Sequence, residues 1–340
     1  MPRIKKILII GSGQRYSIES FYKKAFYSIG IKKIYFFNNE LYFYLYCLFS
    51  GLKINFLLKF ISCIYKNRLK LFIKCNKSID LIVIFKGIEI DRNFLMQLKN
   101  KYPSTKIINI YTDDPFNFSS VATSSPVLLN SIPAYDFFFI WSKKIKEKLK
   151  KKYKFYKNFY YLPFGWNKRV SRIKKNKLDI NYISFIGSGD EYRENILEKI
   201  NKIKIYIFGN SWKKNIANHS VNSFVYGKKW TNVIVKSFVS INILRKQNFE
   251  SHNMRTFEVP AMGGLLATTR SKEQNQFFPE DRACIMFDSI KELENKIFFL
   301  RNNKRIAEKI RKEGFKLSFK HSYKNRAKNL LKIIYNNNAK

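Results

Sequence analysis

The chain has 340 residues, 46% of them hydrophobic, with 65 Lys or Arg against 24 Asp or Glu and a formal net charge of +41. That length exceeds one ordinary core and suits two domains of about 150 residues each. With three histidines and four cysteines in no CxxC pair, no metal-ligand cluster can be proposed, and neither metal nor cofactor is expected.

Such a charge invites a nucleic-acid or anionic-membrane partner. The lysines are scattered, however, and no RNP, zinc-finger or helix-turn-helix signature accompanies them. Abundant Lys, Asn, Ile, Phe and Tyr beside few Gly (13), Pro (8) and Trp (4) is also what codon bias in an AT-rich genome produces. A basic nucleic-acid-binding protein is therefore the second reading. Cys47, Cys63, Cys75 and Cys284 read as reduced, mostly buried thiols of a cytoplasmic protein.

The opening MPRIKKILIIGSGQ has too short an apolar core for a signal peptide and reads as a first strand. Gly11-Ser12-Gly13 follows it without the third glycine of a dinucleotide fingerprint. The glycines let a ligand approach the backbone or simply make a tight turn. A second strand is predicted over Ile31–Phe37. Leu41–Tyr65 is apolar over a membrane-spanning length but carries Lys53 and Lys59, and its longest uncharged run, Leu41–Leu52, falls short of the ~20 residues a bilayer helix needs. One or two buried helices are predicted there. The alternative is an interfacial surface, with aromatic rings at headgroup level and lysines beside them.

Further strands are predicted over Ile79–Phe85, Lys106–Thr112 and Tyr135–Trp141, spaced by helix-length segments, which implies a parallel sheet. Ligands bind outside the carboxyl ends of such strands. This marks Gly11, Ser12, Gly13 and Lys86 as candidate ligand contacts of the first domain. Asp113 and Asp114, before Pro115, are candidate catalytic bases or an ordinary Asp-Asp-Pro turn. The Pro-, Gly- and cation-bearing stretch from Leu162 to Asp179 looks like a linker.

At Ile180 the pattern begins again: INYISFIGSGDEYRENILEKI repeats the apolar run, Gly-Ser-Gly turn and helix of the amino terminus. The echo implies two Rossmann-like domains in tandem. Gly187, Ser188 and Arg193 would offer a helix N-terminus and a guanidinium to a phosphate or diphosphate. Further strands are predicted over Lys204–Gly209, Val239–Leu244, Leu265–Thr269 and Ala283–Phe287. Gly209, Asn210, Ser211 and Trp212 end one of them with polar and stacking groups, although packing alone would also explain Trp212.

FESHNMRTFEVPAMGGLLATTR, from Phe249, carries the strongest signal. Pro260 cannot donate and clashes with the carbonyl four residues back, which predicts a helix starting about one turn earlier, with Glu258 in its first turn. Gly263 and Gly264 would end that helix. A carboxylate beside free backbone amides could take a ribose diol while the amides, Thr256 among them, face a phosphate. Glu250 would reach a second polar group of the same ligand from the preceding loop. From Ile290 onward two or three helices are predicted.

Glu250 and Glu258 stand as E-x7-E, similar to the nucleotide-sugar motif of many GT-B glycosyltransferases. NMRTFEVPAMGG, with FIGSGDEYREN, IYIFGNSW, VSINILR and HSYKNRAKNLL, resembles the family named after the spore maturation protein CgeB, although SHNMR follows Glu250 where many E-x7-E enzymes are Gly-rich. The resemblance implies an α/β GT-B fold of two Rossmann-like domains facing across a cleft. It implies a metal-independent hexosyltransferase-type enzyme moving a sugar from a nucleoside diphosphate, with a UDP-sugar favoured, to a glycan, lipid-linked or protein acceptor. Glu258 would bind the ribose, Arg193 and Arg255 the diphosphate, and Glu250, Asn253 and His252 would lie near the sugar, His252 as a third catalytic candidate. The expected bounds are 1–165 for the acceptor-side domain, 166–180 for the linker, 181–325 for the donor domain and 326–340 for a last helix. Cytoplasmic placement, with contact at the inner face of an anionic membrane, and a non-catalytic GT-B partner protein complete the expectations.

Overall fold

The computed structural model describes residues 4–76, 78–168, 179–213 and 215–337. It divides into one unit of residues 1–163 and 323–340 and a second of residues 164–322. Residues 169–178 of the predicted linker, and 338–340 of the predicted last helix, lie outside the described residues.

In the first unit the order is β1 (Lys6–Gly11), α1 (Ile18–Ser28), β2 (Lys33–Asn38), α2 (Glu40–Gly51), α3 (Asn55–Cys75), β3 (Leu81–Phe85), α4 (Arg92–Lys101), β4 (Lys106–Tyr111), α5 (Pro126–Ser131), β5 (Phe137–Ile140), α6 (Lys143–Lys152) and β6 (Phe159–Tyr161). The strands pair in parallel in the order β2-β1-β3-β4-β5-β6. Apolar runs with no polar alternation suit strands covered on both faces, and every residue of β3 and β5 is buried. Ser17, Asp91, Ser125 and Ser142 cap the helices that follow them, each side chain accepting a bond from the amide three residues on.

The second unit contains β7 (Asp179–Ile186), α7 (Glu191–Glu198), β8 (Ile205–Phe208), β9 (Ser220–Asn222), α8 (Gly227–Lys236), β10 (Ser237–Asn242), α9 (Met254–Ala261), β11 (Leu266–Thr269), α10 (Lys272–Phe277), β12 (Ile285–Phe287), α11 (Ile290–Asn302) and α12 (Lys304–Ser318). Its sheet is also parallel, ordered β12-β11-β10-β7-β8-β9. Its core joins Ile183, Phe185, Ile205, Ile207, Val239 and Ile241 from the strands to Leu293, Ile297 and Leu300 of α11. The last helix, α13 (Tyr323–Asn337), belongs to the first unit, where Tyr323 packs against Phe21 and Tyr22 of α1.

The fold class is thus α/β, with two six-stranded parallel sheets. Two expectations about burial need correction. Leu41–Tyr65 is helical, yet most of its large side chains are not buried, because these helices follow β2, the half-covered edge strand, and pack through one face only. Of the four cysteines, all of them free, only Cys284 is buried, while Cys63 and Cys75 on α3 are exposed. Among the described residues no helix is long and apolar enough to cross a membrane.

Candidate functional site

In each sheet the chain first builds outward to one side of its opening strand and then crosses to the other, so a switch point lies between β1 and β3 and another between β7 and β10. Such points open a crevice at the carboxyl ends of the strands.

In the second unit Arg193 occupies this position. Its Nε and Nη2 donate to the Ile243 carbonyl at 3.0 and 2.8 Å, and Nη1 donates to the Ser188 carbonyl at 2.9 Å. The guanidinium therefore bolts the loop after β7 to the loop after β10. Asp190 caps α7 by accepting from the Arg193 amide at 3.0 Å and pairs with Arg245 Nε at 3.0 Å. Burial, with Arg245 beside it, brings the Arg193 pKa down to about 10, and Arg255 adds to the repulsion. Three guanidinium groups thus gather around one crevice. Arg193 is spent on backbone carbonyls, whereas the Arg245 side chain is 42% exposed.

The two predicted glycine loops of this unit are pressed together. A Cβ at Gly209 would stand 1.9 Å from the Gly187 carbonyl oxygen, and one at Gly189 would stand 2.1 Å from that of Ser211. Trp212 Nε1 donates to the Gly187 carbonyl at 2.9 Å while its ring meets Phe185 edge-on. The Gly189 amide donates to the Asn210 carbonyl at 2.8 Å. Ser188 and Asn210 are therefore brought to one place by packing that Gly187, Gly189, Gly209, Ser211 and Trp212 supply.

Helix α9 starts earlier than predicted. Asn253 caps it by accepting from the Thr256 amide at 3.2 Å, and the Thr256 hydroxyl in turn accepts from the Asn253 amide. Asn253 also bonds Asn242, and Thr256 bonds Gln274, which accepts from Thr268 as well; this buried ladder pins the amino end of α9 to the ends of β10 and β11. With the start fixed at Met254, Pro260 falls in the last turn, where one missing amide interrupts little. Glu258 consequently sits in the second turn, and the amides no helix carbonyl can reach belong to residues before it. Gly263, at φ +78°, and Gly264, which leaves room for Ile234, end the helix and contribute packing.

Glu258 is buried and pairs with Arg255 at 2.5 Å. Burial raises its pKa and the guanidinium opposes the rise. Arg255 also donates through Nε to the Ile186 carbonyl at 3.0 Å and lies 4.5 Å over the Trp230 ring. The pair thus stands at the end of β7, close enough to Arg193 to act on its charge. Arg255 engages Glu258 through Oε2. Glu250 is exposed in the preceding loop, at φ +65°.

His252 corrects the catalytic assignment. It has no exposed surface, its Nε2 accepts from the Phe164 amide at 3.2 Å, its Nδ1 faces Glu273 at 3.1 Å, and Phe257 and Phe277 enclose the ring. Both nitrogens serve the core, and neither is available to take a proton from a ligand.

The first unit's switch point is acidic instead. The Ser12 amide faces Glu19 at 3.4 Å, the Ser12 hydroxyl faces Glu40 at 3.4 Å, and the Gly13 amide donates to Asn38 at 3.0 Å. Lys86, at φ +56°, ends β3 and pairs with Asp113 at 2.8 Å. Asp114 accepts from the Phe116 amide at 2.9 Å and makes the turn. Glu89 is buried and accepts from Asn39 at 2.6 Å. Burial pushes both Glu19 and Glu89 upward, against the pull of Lys86. The sequence reading missed these two glutamates and Arg245. Arg245 had a legible signal, as the first cation after an apolar strand.

The fold is that of GT-B glycosyltransferases, and three solved structures illustrate it. A variant of S. aureus TarM in complex with fondaparinux, α-GlcNAc-glycerol and UDP is 11% identical, with 74% of this chain and 55% of that one covered at a TM-score of 0.56. Anabaena HepE in complex with UDP is 9% identical, with 97% and 100% covered at 0.59. Sucrose-phosphate synthase from Thermosynechococcus elongatus is 11% identical, with 98% and 99% covered at 0.66. The chain spans little more than half the length of TarM. Residues 193–332 match the sequence model of the family described as glycosyl transferase-like. No curated protein sequence matches the chain.

Proposed function

We propose that the chain is a glycosyltransferase whose second unit holds a nucleoside-diphosphate sugar, with a UDP-sugar favoured. The observation that carries this reading is the guanidinium cluster of Arg193, Arg245 and Arg255 at the β7–β10 switch point, with the buried Glu258 carboxylate beside it. Arg245 and Arg255 would take the diphosphate, Glu258 Oε1 a ribose hydroxyl, and Arg193 would hold the loops that shape the crevice. The family match over this region and the UDP held by TarM and HepE support the same assignment.

In the transfer, an acceptor hydroxyl attacks the anomeric carbon as that carbon's bond to the diphosphate breaks. Cations beside the departing diphosphate stabilise its charge without a metal. An inverting transfer also needs a base for the hydroxyl proton, and of the two candidate aspartates Asp114 is taken up in a turn, which leaves Asp113. A glycan, lipid-linked or protein acceptor suits this chemistry.

Calorimetry with UDP, GDP, CMP and dTDP sugars tests the reading. One of them should bind, and Glu258→Gln should weaken it by at least ~1 kcal/mol, the contribution of one hydrogen bond. A folded protein that binds none of the four refutes the proposal.

A further inference from the structure

We propose that the α2–α3 hairpin is a docking surface for an anionic lipid bilayer, on which it lies without crossing it. On α2, Leu41, Tyr44 and Leu48 recur at spacings of three and four and are exposed by 64, 62 and 40%. The stripe continues into the turn at Leu52. On α3 the exposed residues are Phe56, Phe60, Ile64 and Leu71, with Phe56 at 71%. Tyr65, Leu69 and Ile73 lie on the other side of that helix and are buried. The hairpin therefore spends one face on the fold and turns a second, equally apolar face to solvent. Contiguous apolar patches of this kind mark interaction sites.

Charge identifies the occupant. Between Leu41 and Ile79 there is no acidic residue and there are seven Lys or Arg. Lys66 pairs with Asp91 of the neighbouring α4 N-cap, and Arg68 donates to Tyr42. Lys53 at the turn, Lys59 between Phe56 and Phe60, and Lys74 beyond Leu71 are exposed beside the apolar stripe. An apolar stripe with flanking lysines supplies both signals that stable attachment to a bilayer needs: insertion at the headgroup boundary and attraction to anionic lipid. A second copy of the chain is disfavoured, because each copy carries a formal charge of +41. The inference does not depend on nucleotide binding by the second unit.

Flotation of the full chain with phosphatidylcholine vesicles, with and without phosphatidylglycerol, is the test. The protein should float with phosphatidylglycerol only. The double variant Phe56→Glu, Phe60→Glu should lose about tenfold or more in partitioning, and Lys53→Glu, Lys59→Glu should also lose binding. All four positions are exposed, so circular dichroism should report an unchanged fold. Absence of flotation with phosphatidylglycerol overturns the proposal. So does flotation by Phe56→Glu, Phe60→Glu equal to wild type, which would assign the binding to net charge alone. Self-association on gel filtration that this variant abolishes, without flotation by either protein, would assign the face to a second copy.

Discussion

Gly11-Ser12-Gly13 and Gly187-Ser188-Gly189 are the same three residues in the same place, the turn after the opening strand of a parallel sheet at its switch point. Their surroundings have opposite charge. The first faces Glu19 and Glu40, and the second faces Arg193, with Arg245 and Arg255 close by. A shared turn thus fixes only where a ligand can approach. The side chains from the next helix and the neighbouring strand set the charge it meets: carboxylates surround the first turn and guanidinium groups the second.

The glycines test that comparison with the largest effect. In the second unit Gly189 and Gly209 each meet a backbone carbonyl oxygen, which cannot swing aside. Gly209→Ala should cost ~3 kcal/mol or more, as overpacking does when backbone must move. A Cβ at Gly11 instead meets Glu19 Cγ at 2.5 Å, the stem of a side chain that can rotate, so Gly11→Ala should cost only ~1 kcal/mol. Denaturant midpoints measure both, and equal losses would break the distinction between the loops.

A second test separates two arginines of the same cluster. Arg193→Met removes three donors and strands the buried carbonyl of Ile243 and the part-buried one of Ser188, a loss of ~2–4 kcal/mol in stability. Arg245→Ala should leave stability within ~0.5 kcal/mol, because its side chain is substantially exposed. It should nevertheless weaken nucleotide-sugar binding by about tenfold, or ~1.4 kcal/mol. Thermal melts beside calorimetry resolve the two roles. A destabilised Arg245 variant with unchanged affinity would reverse them.

Much of this contrast lay beyond the sequence. Fully buried strands such as β3 and β5 were legible because burial on both faces leaves an unbroken apolar run. The sheet-edge strands β6 and β9, of three residues each, carry too little pattern to register. In the Asn253–Ala261 segment two local rules conflicted. Pro260 argued for a late start, but the Asn253–Thr256 capping box set an early one, since a proline in the last turn costs little. Apolarity in α2 and α3 was read as burial, although a pattern of apolar residues does not say what covers them. His252 stands within the motif in sequence, and only tertiary packing reveals that its ring belongs to an aromatic core.

The smallest effect sharpens the acidic half of the comparison. Glu89 is buried, and burial raises its pKa above the ordinary 4.5 although Lys86 pulls it down. Between the ordinary and the raised value the folded chain holds a proton that the unfolded chain has released, so stability from this group is present at low pH and falls as pH rises through the raised value. At neutral pH the buried carboxylate therefore opposes folding. Glu89→Gln removes that charge while its amide oxygen can still accept from Asn39. Its melting temperature should exceed wild type at neutral pH, with the gain shrinking as pH is lowered through the raised value and gone below about 4.5. A loss of stability at neutral pH would mean instead that attraction between Glu89 and Lys86 outweighs desolvation. The first unit's switch point would then be held together by ion pairing, as the second is by Arg193, and the contrast between the two turns would narrow to the sign of the charge.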